Sequence, residues 1–349
     1  MKIRSALSVT AASVAAALML SGCVAGEGSA TQADAPAPGA TSEDGWSSDT
    51  LTVDFATYNP LSLIIKEQGW LEETLGDDVT VEWVQSAGSN KANEALRAGV
   101  VDVGSTAGSA ALLARANGSP IKTISLYTQP EWSAIVVPAD SPVQSVEDLA
   151  GTSIAATKGT DPYFFLLQTL EEHGLTLADV EVQNLQHADG RTALENGSVQ
   201  AWSGLDPIMA DSEVNAGSRL IYRNIDFNTY GFLNATETFL EQSPDLAQVV
   251  VDAYEKARAW ALENPEETAQ ILADVAGIDL AIAEKVILER TVIDLDPVPG
   301  EEQRAVLEVV GPIFVESGDV SNQEQIDEAL DSLFEDSFVT QADPASITD

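Results

Sequence analysis

The chain has 349 residues, 44% of them apolar, which is enough for two domains with their own cores and too apolar for disorder to describe the bulk of it. Its 56 acidic and 16 basic residues leave a formal net charge of -40. That excludes nucleic acid as a partner and adhesion to anionic headgroups, since both need a basic surface. An anionic guest would meet a repulsive long-range field, so its capture has to rest on short-range donors inside a cleft.

Residues 1–22 read as a secretory leader: Lys2 and Arg4 precede the apolar stretch Ala6–Leu20, which is too short to be a convincing membrane span. The leader closes with Leu20-Ser21-Gly22-Cys23. This run resembles the lipobox of bacterial lipoproteins, which implies cleavage before Cys23 and lipid attachment to its thiol. Cys23 is the single cysteine, so no internal disulfide and no thiol chemistry are expected. Residues 23–49 are Gly, Ser, Ala, Thr, Pro and acidic residues with little to bury, the composition of a flexible tether.

Strands and helices then alternate. Leu51–Thr57 alternates as a strand, and Asn59-Pro60 offers a cap and a proline at the first helical position before Leu61–Gln68. Val79–Val84 reads as a strand, Lys91–Arg97 as a helix, Val101–Ser105 as a strand and Ala107–Ala116 as a helix. Ile121–Tyr127 and Ser133–Val137 read as strands. The alternation predicts sheets with parallel strands. A composition shift at Pro138–Leu149 marks a crossing into a second lobe. That lobe holds strands at Thr152–Thr157, Val180–Leu185, Val199–Trp202 and Arg219–Tyr222, with helices at Pro162–His173, Gly190–Asn196 and Pro207–Ala216. Tyr230–Asn234 crosses back. Leu246, Val249, Val250, Ala253, Ala257 and Trp260 then line one helix face, and Pro265–Val275, Leu280–Thr291, Glu301–Ser317 and Gln323–Glu335 read as further helices. The expected boundaries are 50–137 for the first part of lobe 1, 138–228 for lobe 2, 229–338 for a mostly helical second part packed on lobe 1, and 339–349 for a frayed tail.

Two strand-to-helix turns stand out, Gly104–Ser109 and Thr157–Pro162. Each leaves the first amides of a helix unpaired, and those donors with the helix dipole favour an anion. Small and hydroxyl residues, Ser105 and Thr106 in one and Gly159 and Thr160 in the other, leave the approach open. These turns are expected on facing walls of one cleft.

Three blocks of residues carry a family resemblance. The first is Gly88-Ser89-Asn90-Lys91, Glu94-Ala95-Leu96, Gly99 and Val101-Asp102-Val103-Gly104-Ser105-Thr106. The second is Ile135-Val136-Val137, Asp148-Leu149-Ala150-Gly151 and Thr157-Lys158-Gly159-Thr160. The third is Gly197, Val199, Gln200-Ala201-Trp202 and Leu205-Asp206-Pro207. In matching order from about Leu51 to Trp260, they resemble solute-binding proteins of the sulfonate/nitrate/taurine group of ABC importers, nearest to the aliphatic-sulfonate binders. The resemblance implies an α/β, two-lobed type II periplasmic-binding-protein fold with two crossovers and a cleft that closes by hinge motion. It also implies an anion held by amides, hydroxyls and helix N-termini, and carries ligand contact to Tyr58, Asn59, Gly88, Ser89, Ser105, Thr106, Gly159, Thr160, Trp202 and Asp206. Trp132 is a candidate wall for an organic tail, with core packing as the alternative for it and for Trp202. Asp161-Pro162 departs from the small polar residues common there. Glu131, Asp161 and Asp206 therefore put up to three acids near the cleft, either capping helices or facing a solute that carries an amine or hydroxyls.

Enzyme chemistry has little support. His173 and His187 are the only histidines, too few for a typical zinc site. His173 reads as a helix C-terminal residue and His187 as a surface-loop residue, with a place near the cleft as its alternative. There is no G-x-S-x-G elbow and no Walker A. A related fold serves pyrimidine synthesis for thiamine, chemistry associated with a histidine-rich site that two histidines do not supply. The expected protein is an exported, lipid-anchored monomer that binds a small organosulfur anion and delivers it to ABC permease subunits, without metal or cofactor. A binder of nitrate, taurine or a pyrimidine, or an exported enzyme on the same scaffold, is the alternative.

Overall fold

The computed structural model describes residues 45–349. The leader, the Cys23 lipidation site and the tether as far as residue 44 lie outside the described residues. A first lobe is laid down as β1 (Thr50–Phe55), α1 (Pro60–Gln68), α2 (Trp70–Leu75), β2 (Thr80–Gln85), α3 (Ser89–Ala98), β3 (Val103–Ala107), α4 (Gly108–Ala116) and β4 (Ile121–Pro130). The second lobe holds β5 (Ile135–Val137), β6 (Ser153–Ala156), α5 (Asp161–Glu172), β7 (Glu181–Asn184), α6 (His187–Glu195), β8 (Ala201–Ser203), α7 (Ile208–Asn215) and β9 (Arg219–Tyr222). The chain returns through β10 (Gly231–Thr236) to α8 (Glu237–Gln242), α9 (Pro244–Glu263), α10 (Pro265–Ala276) and α11 (Leu280–Glu284). It ends with β11 (Thr291–Val292), α12 (Glu301–Glu316) and α13 (Gln323–Ser332).

Each lobe is built on one sheet. The strand order is β11-β4-β10-β3-β1-β2 in the first and β7-β6-β8-β5-β9 in the second. The strands joined through helices run parallel, as the alternation predicts: β1 with β2 and β3, and β6 with β7 and β8. The strands that arrive directly from the other lobe, β5 and β10, pair antiparallel with their neighbours. Both sheets are therefore mixed, because a crossover without a helix does not impose the parallel direction.

The local chemistry at the first turn works as the sequence suggests. Asn59 Oδ1 accepts from the Ser62 amide, Pro60 opens α1, and Gly69 ends it at φ 68°, a left-handed conformation that suits glycine.

Four boundaries differ from expectation. Ile135 pairs with Ser203 and Tyr222 of the second sheet, so the first crossing falls between Pro130 and Ile135 and not at Pro138. The proline-rich stretch follows the first strand of the second lobe and does not precede it. At the start, Trp46 already packs on the first-lobe core and the Ser47 amide donates to Asp245, so order begins before residue 50. At the other end, 339–349 is not frayed. Val339 and Ile347 are buried, Lys256 Nζ donates to the Ile347 carbonyl, and the Thr348 amide donates to Thr74 Oγ1. Finally, the expected helix Leu280–Thr291 breaks into α11, a π turn over Lys285–Glu289, and β11, which pairs with Gln129 and Pro130 of β4.

The helical tail does not pack on the first lobe alone. Leu307, Val310 and Phe314 of α12 share one apolar cluster with Phe164, Leu166 and Leu170 of α5 and with Ala111 and Leu112 of α4. The Phe164 and Phe314 rings meet edge-on, 4.3 Å between centroids. One core thus runs from lobe to lobe along this side, while α9 fills the first-lobe core through Leu246, Val250, Ala253 and Ala257.

Candidate functional site

The C-terminal ends of the parallel strands aim their turns at the other lobe, where ligands of open α/β sheets collect. Three of these turns open helices whose N-termini converge. Gly88 precedes α3 in the first lobe, Thr160 caps α5 in the second, and Gln186 precedes α6. Among the described residues, no protein group accepts from the amides of Ser89 and Asn90, of Thr160 and Asp161, or of Ala188 and Asp189. The turns touch across the lobes. A β-carbon placed on Gly88 would lie 2.8 Å from His187 Nε2 and 3.0 Å from Asn90 Oδ1, and one on Gly159 would lie 3.6 Å from Asn90 Cβ. Ser89 Oγ accepts from the Ala107 amide at 2.9 Å, and its own proton has no protein acceptor.

His187 is the residue that the sequence misplaced. It is 1% exposed at the first position of α6, not in a surface loop. Thr157 Oγ1 donates to the Leu185 carbonyl at 2.6 Å and faces His187 Nδ1 at 3.2 Å. With its proton spent, that hydroxyl can only accept from His187, which fixes the proton on Nδ1 and leaves Nε2 a bare acceptor. Burial pushes the imidazole down to about 3, so it is neutral. Nε2, Asn90 Oδ1 and Gln186 Oε1 are buried without partners.

Of the residues picked from the sequence, Gly88, Ser89, Gly159 and Thr160 are brought together here. Thr160 Oγ1 itself is bonded to the Thr157 carbonyl at 2.6 Å. Ser105 and Thr106 lie inside β3 and not in the turn after it. The Ser105 amide and hydroxyl both donate to Asp54 Oδ1, at 2.8 and 2.9 Å, and Thr106 Oγ1 donates to the Ala107 carbonyl and accepts from Asn234. The true turn is at Gly108 and Ser109, whose amides go to the Tyr230 carbonyl and Thr229 Oγ1. Asn59 is occupied by its cap and by Tyr254, and Tyr58 donates to the Ser105 carbonyl. Trp202 is wholly buried in a second-lobe cluster with Ala155, Leu194 and Met209, its indole N–H unpartnered against Gly190.

None of the three acids presents a free carboxylate to a guest. Asp161 does not cap α5. At 1% exposure its carboxylate accepts from Ser109 Oγ, Thr229 Oγ1, the Thr229 amide and Trp132 Nε1, all at 2.5–2.7 Å. Burial raises its pKa and those donors restrain the rise. Glu131 is held in a two-point ion pair by Arg223. Asp206 accepts from the Ala210 amide and pairs with Arg290 at 3.0 Å, and Arg290 also reaches Glu213 of α7. Burial pushes Asp206 up to about 6 despite the Arg290 charge. Trp132 packs edge-on against Tyr58 with centroids 6.0 Å apart, so it serves both as core and as the wall of a small void shared with Asp206 and Arg290. Lys158 turns outward over the Tyr163 ring.

Beside the converging turns runs an interlobe groove of about 480 Å³. Thr57, Gln85 and Ile278 line it from the first lobe, and Ala188, Arg191 and Asp211 from the second. Its one basic residue, Arg191, is paired with Glu195 and Asp211. The site therefore offers neutral donors and helix termini to an anion, with no free cation in its lining. Among the described residues no group of three or more His, Cys, Asp or Glu is arranged to hold a metal ion.

Comparison with known proteins agrees with this architecture. The profile described as NMT1/THI5 like matches residues 62–268. The chain belongs to the NMT1/THI5-like family. It is 26% identical over 243 residues to a protein of Escherichia coli (strain K12) named provisionally as an aliphatic sulfonates-binding protein, a match covering 69% of this chain and 76% of that one. A Bacillus subtilis (strain 168) protein with the same provisional name is 28% identical over 235 residues, covering 66% and 70%. The solved alkanesulfonate-binding protein SsuA of Xanthomonas axonopodis pv. citri, bound to MOPS, superposes with a TM-score of 0.73 at 22% identity, covering 81% of this chain and 98% of that one. The fold is that of the periplasmic binding proteins.

Proposed function

We propose that this protein is the extracytoplasmic receptor of an ABC importer and that it binds a small aliphatic sulfonate, or a related organosulfur anion, between its lobes. It is exported, held at the outer face of the cytoplasmic membrane by lipid on Cys23, and acts as a monomer that hands its guest to the permease without chemical change. The observation that carries this reading is the meeting of unspent amides at the N-termini of α3, α5 and α6 across the two lobes. A sulfonate head has three oxygens spread over a tetrahedral face. Donors from opposite lobes reach all of them together only when the lobes are shut, so binding favours the closed form by the difference in affinity between the two states. Neutral donors also suit a strong-acid anion that needs no proton bookkeeping. The provisional names of the two curated relatives point to the same guest class.

A thermal-shift panel tests this. Ethanesulfonate and butanesulfonate at 100 times Kd should add about 2.7 kcal/mol to stability and raise Tm by several degrees, while nitrate and pyrimidines leave it unchanged. A rise with nitrate or a pyrimidine alone would replace this reading with the corresponding binder.

A further inference from the structure

The unspent amides of the cleft have a neighbour that anion binding leaves unexplained. Asp54, near the end of β1, pairs with Val84 of β2, just before the turn that carries Ser86, Gly88 and Ser89. Its Oδ1 accepts the Ser105 amide at 2.8 Å and the Ser105 hydroxyl at 2.9 Å. Two residues further along β3, the Ala107 amide donates to Ser89 Oγ at 2.9 Å. Amides two residues apart on a strand point the same way, about 7 Å from each other. Asp54 and the Ser89 turn therefore lie side by side along one edge of β3. The carboxyl is 0% exposed, and its Oδ2 is buried without a partner.

Among the described residues no positive charge offsets it. Ser86, Ser105 and the phenols of Tyr58, Tyr127 and Tyr254 bear on Asp54 or feel its charge, and burial pushes all three phenols up, so they are neutral. The other charge that acts on this group, Asp161 on Tyr127, is a second acid. An ionised Asp54 thus stands close to a bound anion with nothing between them to cancel the repulsion. At a separation of about 7–10 Å and an effective dielectric constant of about 20, that repulsion weakens the anion by about tenfold or more. A proton on Oδ2 removes it, and burial already holds the carboxyl at about 7, where a proton is within reach.

We propose that Asp54 couples capture to a proton, its Oδ2 taking up one as the anion enters and giving it up as the anion leaves. This rests on the reading of the guest as an anion and adds a control on its affinity. Asp54 acts through charge and does not touch the guest. The anion raises the carboxyl further, so affinity is full below about pH 6 and falls as pH rises through 7. Asp206, the other buried acid that titrates close to neutrality, has Arg290 as its counter-ion.

Calorimetry of ethanesulfonate on the purified full chain tests this, because the charge of that probe is constant between pH 6 and pH 9. Titrations in phosphate and in Tris, whose ionisation heats differ, count the protons exchanged. The wild-type protein should take up about half a proton or more per guest at pH 7.5, and Kd should rise about tenfold or more from pH 6 to pH 9. Asp54→Asn, which keeps an oxygen for Ser105, should exchange no proton and lose most of the pH dependence. In the wild-type protein the ¹³C carboxyl resonance of Asp54 should titrate at a higher pH with ethanesulfonate than without it, a readout that stands even if the variant fails to fold. An affinity independent of pH, with that midpoint unmoved, overturns the proposal and leaves the receptor reading intact. Proton uptake that persists in Asp54→Asn also overturns it. Absence of binding at every pH overturns both.

Discussion

The Asp161 carboxylate accepts the Ser109 hydroxyl at 2.5 Å, and this bond joins the first turn of α5 in the second lobe to the first turn of α4 in the first. Three more donors, from Thr229 and Trp132 on the two crossovers, close on the same carboxylate. The hinge region is thus organised around one buried charge neutralised by hydrogen bonds. Asp161→Ala strands all four donors and is expected to cost about 3–5 kcal/mol, lowering Tm by on the order of 10 °C in a scanning-calorimetry trace. Asp161→Asn keeps one acceptor oxygen but sets an amide against donors, and should cost about 1–3 kcal/mol.

Gly88 has φ 162°, extended backbone that alanine adopts readily, so only space forbids a side chain there. The obstacle is His187, 2.8 Å from the β-carbon and on the other lobe. Gly88→Ala should leave the unliganded Tm nearly unchanged, wedge the lobes apart and weaken guest binding by about tenfold or more. Small-angle scattering with guest present should show a wider molecule than wild type, and adding His187→Ala should let the lobes close again.

Asp54 sits at the end of β1, and burial pushes its carboxyl up to about 7 against the pull of Ser105 and Ser86. Its folded pKa is above its unfolded one, so its contribution to stability is full below about pH 4 and is lost as pH rises through about 7. At about 1.4 kcal/mol per pKa unit the loss amounts to a few kcal/mol. Asp54→Asn removes this titration. In urea melts the difference between wild type and variant should move in the variant's favour between pH 4 and pH 8, and a constant difference would contradict the assignment.

Arg290→Met removes the cation that Asp206 and Glu213 share. At pH 7 the uncompensated buried Asp206 should cost about 3–5 kcal/mol. Asp206 already titrates at about 6 with Arg290 present and higher without it, so at pH 5 it is protonated and needs no partner. The destabilisation measured by denaturant should therefore shrink on acidification.

The strand–turn–helix rhythm was legible because each unit is local. Gly88, Ser89, Gly159 and Thr160 stand where hydrophobic period and capping chemistry place them. Ser105 and Thr106 were not, because β3 runs on to Ala107 through its pairing with β10, Thr106 opposite Phe232 and Ala107 opposite Gly231, and partners so distant in sequence leave no local mark. Asp161 looked like a cap beside Pro162, yet its carboxylate turns towards donors supplied by both crossovers. His187 was hidden for the same kind of reason: its neighbours Gln186 and Asp189 are those of a solvated loop, and the residues that enclose it, Thr157 after β6 and Gly88 of the opposing lobe, are distant in sequence. The crossing before Ile135 was masked because prolines mark loops without saying which side of a strand they guard.

Because apolar side chains run without a seam from α4 through α12 into α5, the molecule behaves as a clamshell glued along its back. Traffic is confined to the lips, where Gln85 and Ile278 face Arg191 and Asp211. Any protein that is to collect the guest has to seat over that rim.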